Sequence, residues 1–144
     1  MRRGIYLMKL VHEVLEEVRK KKSKKDKVAI LKENETWALK DVIRGSMDPT
    51  VKWHLPGGTP PYTAAEEHNC PANLHRENVK FAYLVKGGKG ETLPSFKREN
   101  IFIGMLEGVH PKDAELLVAM INKETPKGLT KAVVEEAFPG LLKG

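Results

Sequence analysis

Residues 101–142 read IFIGMLEGVHPKDAELLVAMINKETPKGLTKAVVEEAFPGLL. Their punctuation decides the fold. Phe102, Met105, Leu106 and Val109, joined by Ile101, form one apolar stripe at helical spacing. Pro94 suits the first turn of that helix, which is expected to run through Glu107 and end at Gly108. His110 then reads as the cap of a next helix, with Pro111 in first position and Asp113 in the first turn, where a negative charge is favourable. Ala114, Leu117, Val118 and Ile121 are its expected core face. After Lys127-Gly128, Thr130 reads as the cap of a last helix, stapled by Leu129 and Val134, closed by Phe138 and stopped by Pro139-Gly140. Three short amphipathic helices in forty-odd residues, with tight turns, predict an all-α protein.

The totals fit that expectation. A chain of 144 residues is about one domain's worth, with enough surface to bury in a single core. No apolar run approaches the ~18 residues that cross a bilayer. The start, MRRGIYLMKL, has no small-residue cleavage site and does not read as a signal peptide. Met8 is an alternative initiator, and residues 1–8 then read as an extension of a single 1–144 domain. One cysteine, Cys70, rules out an intrachain disulfide framework and fits a reducing compartment. The net charge of +6 is concentrated. Residues 1–27 hold ten Lys/Arg against four Asp/Glu, and the remainder of the chain holds fifteen of each. Such asymmetry is an argument for a polyanionic partner.

The chain before residue 101 predicts further helices. Leu7, Leu10, Val11, Val14, Leu15 and Val18 form one helical stripe. The run Arg19–Lys27 carries seven basic residues and one acidic, with Ser23 as cap for a helix over Lys24–Glu33 that turns Val28, Ile30 and Leu31 inward. Glu35–Gly45 reads as a third helix with Trp37, Leu39, Val42 and Ile43 as core and Gly45 as its C-terminal cap. Residues 46–72 contain five of the nine prolines and a Gly-Gly pair, which predicts a long ordered loop. Trp53 and Tyr62 are its expected anchors or, alternatively, a surface for a protein partner. Asn73 caps an expected helix over Leu74–Val85, although the run KFAYLV also suits a strand. The architecture expected is six to seven short helices with one long Pro/Gly-rich loop.

Candidate chemistry is sparse. His68, Cys70 and His75, with His54, match none of the common zinc spacings. Cys70 precedes a proline and has no visible orienting group for nucleophilic work. Neither a phosphate loop nor G-x-G-x-x-G is present, so no cofactor, metal or small-molecule substrate is expected. The candidate phosphate contacts are Lys20, Lys21, Lys22, Lys24, Lys25 and Lys27, followed by Arg44, Lys86, Lys89, Lys127, Thr130 and Lys131. Of these, Thr130 also serves as a plain helix cap.

Two stretches resemble the N-terminal DNA-binding domain of T-even-type phage ATP-dependent DNA ligases. The first is an amphipathic helix, a Ser/Lys turn, then a segment carrying Ala29, Ile30, Leu31 and Asn34 and a helix carrying Arg44. The second carries Asp113, Leu116, Leu117, Met120 and Gly128 and ends in Phe138-Pro139-Gly140-Leu141. The segments WHLPGGTPPY and GLTKAVVEEAFPGLL are also similar to a family of small uncharacterised proteins of large tailed phages, including cyanophages. The ligase resemblance implies an all-helical module that contacts duplex DNA through phosphates and the minor groove without reading sequence. The ligase nucleotidyltransferase motif K-x-D-G is missing, since Lys112-Asp113-Ala114 does not supply it. The implied function is therefore that of a non-enzymatic DNA-gripping phage protein in the host cytoplasm during infection. The alternatives are a virion or assembly protein, and an effector that binds a host or replication protein through the 46–72 loop.

Overall fold

The structure, a computed structural model, describes residues 8–144. Leu7 and the rest of the proposed N-terminal extension up to that point lie outside the described residues. Seven α-helices and one 3-10 segment follow in order, with no strand among the described residues: α1 Val11–Lys20, α2 Lys24–Glu33, α3 Trp37–Met47, α4 Leu74–Glu77, the 3-10 segment Asn78–Tyr83, α5 Ser95–Gly108, α6 Pro111–Ile121 and α7 Lys131–Ala137. The protein is all-α, a single domain around one core.

Four of the five side-chain caps are those the sequence marks, and the fifth, Thr36, starts α3 at Trp37 rather than at the expected Glu35. Ser23 accepts from the Asp26 amide, Thr36 from Leu39, Asn73 from His75 and Thr130 from Val133, and the His110 ring accepts from the Lys112 amide. Each satisfies a backbone donor that its helix leaves free. Glu13 reaches back to the Leu10 N–H at 2.8 Å, so Leu10 caps α1 and is only half-buried. Val11, Val14, Leu15 and Val18 keep the stripe buried.

Helix α6 is the hub, packed against α1, α3 and α5, while α2 packs on α1 and α7. Ala114, Leu117 and Met120 on α6 are fully buried, and Val118 is half-buried. Burial of a side chain such as Leu117 is worth about 1.5–3 kcal/mol. Asp113 does more than complement the start of α6. It is 1 % exposed, and its carboxylate accepts from both the backbone N–H and the Nδ1 of His12 at 2.9 Å. The His12 ring stacks on His110 with centroids 4.5 Å apart. This polar tie pins the start of α1 to the start of α6.

Several expectations need correction. Gly45 does not cap α3, which continues to Met47. A Cβ on Gly45 would lie 2.5 Å from the Trp53 ring and 2.9 Å from the Met120 sulfur, so glycine is there to admit Trp53. Trp37 is not core, since it opens α3 with 73 % of its surface exposed. Residues 74–85 form neither one helix nor a strand. Leu74 and Asn78 are buried four residues apart, and Asn78, Phe81 and Leu84 three apart. That change of period is the change from α to 3-10 geometry. Val85 then makes an isolated antiparallel bridge with Trp53.

The long loop begins at Asp48 rather than Ser46, and it is held down along its length. The Trp53 indole N–H donates to Gly45 O at 3.0 Å, and its ring meets Phe81 edge-on. His54 N–H donates to Leu84 O, Lys86 N–H to Lys52 O, Thr63 N–H to Glu107 and Ala72 N–H to Gly108 O. Asn122 exchanges two hydrogen bonds with the Gly58 backbone. Arg98, 5 % exposed on α5, donates to the carbonyls of His54, Gly90 and Leu93 and so joins loop to helix. Lys123 stands at φ +58° and places its ammonium on the carbonyls of Gly45, Asp48 and Val51 at 2.7, 2.8 and 2.9 Å. It supplies donors and a positive charge where α3 ends.

Candidate nucleic-acid interface

The α1–α2 turn is a short break between two good helices. Lys21 turns to extended backbone at the end of α1, and Ser23 restarts the helix. The two helix ends leave the side chains between them in solvent. Lys20, Lys21, Lys22, Lys24 and Lys25 are exposed. The last turn of α1 carries Arg19 and Lys20, which suits its C-terminal dipole.

The turn before α7 is seated against this break. Gly128 has φ +89°, and a Cβ there would lie 2.7 Å from the Arg19 Cα. The Lys27 ammonium donates to Gly128 O at 2.7 Å. Lys24 pairs with Glu136 of α7 at 3.1 Å, both half-exposed. Lys127 and Lys131 flank that turn and are exposed. Residues distant in sequence thus meet along one basic edge. Its acids are partly committed: Glu16 pairs with Arg19, and the hydrogen bond from that guanidinium holds the Glu16 carboxyl below its usual range. Exposed pairs of this kind are weak and open readily to a competing anion.

The predicted contacts divide three ways. Lys20, Lys21, Lys22, Lys24, Lys25, Lys127 and Lys131 lie on the basic edge. Lys27 and Thr130 belong to it as structure, since the ammonium of Lys27 is spent on Gly128 O and the hydroxyl of Thr130 on the Val133 amide. Arg44, Lys86 and Lys89 belong to other neighbourhoods. Arg44 faces Asp41 at 3.6 Å in a groove between α3 and the 3-10 segment. Lys86 and Lys89 sit in a Gly-rich turn bonded to Lys52 O and Ala82 O, with the Lys89 ammonium 6.0 Å from the Tyr83 ring. Glu91 in the same turn accepts from the Gly87 N–H, which with nearby His54 and Arg98 holds its carboxyl below the usual range.

As a partner surface, Trp53 is a correction: it is 8 % exposed and serves as the loop's internal anchor. Tyr62 is half-buried and packs against the core. Of the residues weighed as zinc ligands, His68, Cys70 and His75 line one cavity beside α4 and the start of α6, where the Cys70 thiol donates to Glu66 O and His75 bonds to Lys9 O, while His54 lies apart beside Arg98. Among the described residues no group of three or more His, Cys, Asp or Glu is arranged to hold a metal ion. No helix of the described residues is long and apolar enough to cross a membrane.

The α3 groove is a feature that sequence reasoning missed. It has a volume of about 570 Å³ and is rimmed by exposed Trp37 and Val79, with Asp41, Arg44 and Asn78. The signal was present, because Trp37 shares a stripe with Asp41 and Arg44 at i, i+4, i+7, and that stripe is polar.

No curated protein matches this chain. The model of a family of unknown function, DUF6433, matches residues 14–127, from within α1 to the turn before α7, and the chain belongs to that family.

Proposed function

We propose that this protein is a binding module for duplex DNA that grips phosphates along its basic edge and reads no sequence. The observation that carries this reading is the seating of the 126–130 turn on the α1–α2 break through Gly128 and Lys27. It adds Lys127 and Lys131 to a run of seven basic residues that already holds the chain's excess charge. Exposed lysines at helix ends neutralise phosphates and release their counterions, with affinity that is largely independent of base sequence. The resemblance to ligase DNA-binding domains supports the same reading. In this account the protein holds DNA and catalyses nothing itself.

Fluorescence anisotropy with a labelled duplex at about 50 and 200 mM salt tests it. For about four phosphates neutralised, affinity falls about a hundredfold between the two salts, equally for unrelated sequences. Absence of binding at the lower salt overturns the reading.

A further inference from the structure

Trp37 is the most exposed large apolar side chain described in this protein, and it is not loose. The Lys40 ammonium lies 4.3 Å from the centre of the Trp37 ring and 5.9 Å from that of Phe138, and Glu35 tethers it at 2.8 Å. Lys40 itself is 17 % exposed. The ammonium over the indole covers one of its faces. The other face is left open to solvent at the rim of the α3 groove. An indole with one face covered and the other open is what a planar ligand stacks on.

The polar groups of the groove suit one class of ligand. Asp41 accepts from the Asn78 amide at 2.9 Å through one oxygen and faces Arg44 at 3.6 Å through the other. Asp41 can therefore take the N–H of a base edge. Arg44, 45 % exposed, keeps guanidinium donors free for a carbonyl or a phosphate. Trp37 and Arg44 are two turns apart on one helix face, about 10 Å along its axis, on the scale of a base and a neighbouring phosphate. Phe81 supplies an apolar floor. We propose that the groove between α3 and the 3-10 segment binds an unpaired nucleotide of single-stranded nucleic acid, its base stacked on Trp37 and a neighbouring phosphate of the strand held by Arg44. The exposed guanidinium of Arg44 at the groove favours a ligand that carries a phosphate over a neutral or basic peptide. The site is separate from the basic edge and does not depend on the duplex reading.

Intrinsic tryptophan emission reads this site, since both tryptophans of the chain line the groove, Trp37 exposed at its rim and Trp53 in its inner wall. Titration with an oligothymidylate of ~10 nucleotides is expected to quench the emission. In Trp37→Ala most of the quenching is lost and affinity by anisotropy falls about tenfold, with the fold unchanged by circular dichroism. Arg44→Gln weakens binding and lowers its salt dependence, while charge reversal at Lys20, Lys21, Lys24 and Lys25 leaves the quenching in place. Three results overturn the proposal: no quenching by oligothymidylate, equal quenching by a blunt duplex of the same length, or undiminished oligothymidylate affinity in Trp37→Ala. A response to an acidic amphipathic peptide with none to oligothymidylate assigns the groove to a protein ligand instead. Failure of duplex binding with quenching intact rejects the basic edge and leaves the groove standing.

Discussion

The basic edge and the α3 groove are built by opposite means. The edge takes most of its chemistry from one contiguous run, Arg19–Lys27, displayed on a break between helices. The groove takes Trp37, Asp41 and Arg44 from α3 and Asn78 and Val79 from a segment some forty residues later. The edge is made of exposed side chains whose removal costs the fold little. The groove stands on packing, because Trp53 forms its inner wall and fits only beside a glycine at 45. Contiguous charge is thus readable from sequence and cheap to alter. An assembled groove is neither.

The largest effect expected at either region comes from Gly128→Ala. A Cβ would press on the Arg19 backbone, at a residue whose φ of +89° already disfavours L side chains. Together these cost about 2–4 kcal/mol, read as a lower denaturant midpoint, and duplex affinity falls as the two turns part. On the groove side, Lys123→Met removes the donors from three carbonyls at the end of α3. It destabilises the protein by about 1–3 kcal/mol in urea unfolding, and the basic edge keeps its duplex affinity.

A pH effect follows at Asp48. Burial pushes its carboxyl up, but hydrogen bonds from the Lys143 backbone, the Thr50 hydroxyl and N–H, and the Gly144 backbone outweigh it and hold the carboxyl below the usual aspartate range. A folded-state value below the unfolded one stabilises the protein above the unfolded value, and that stabilisation is lost as pH falls through it toward the folded one. Thermal melts of the wild type are expected to lose stability on acidification through that range, and Asp48→Asn to be less stable at neutral pH with a flatter acid dependence. The smallest effect is that of Trp37→Ala on stability, within about 0.5 kcal/mol by chemical denaturation, because the ring is 73 % exposed.

The helices of the last third are legible in the sequence because their signals are local. The cap residues there, His110 and Thr130, report on the few residues that follow them. Sequence and structure part where tertiary packing overrides local preference. Gly45 reads as a cap because glycine commonly is one, and only the later arrival of Trp53 explains it. Trp37 reads as core on hydrophobicity alone, against the polar stripe it shares with Asp41 and Arg44. The 78–83 segment carries buried residues at a spacing of three, which a search for helical or alternating periods passes over. On the basic edge the lysine run is plain, but its union with residues 127–131 depends on Lys27 reaching a carbonyl 101 positions away.

The measurement that tests the central claim most directly is the slope of log affinity against log salt for duplex DNA, compared between the wild type and the protein carrying Lys20→Glu, Lys21→Glu, Lys24→Glu and Lys25→Glu. If these lysines neutralise phosphates, the slope becomes shallower by about 0.9 for each phosphate no longer neutralised, and affinity collapses while helix content stays unchanged. An unchanged slope and affinity in the folded variant would contradict the assignment of DNA binding to this edge.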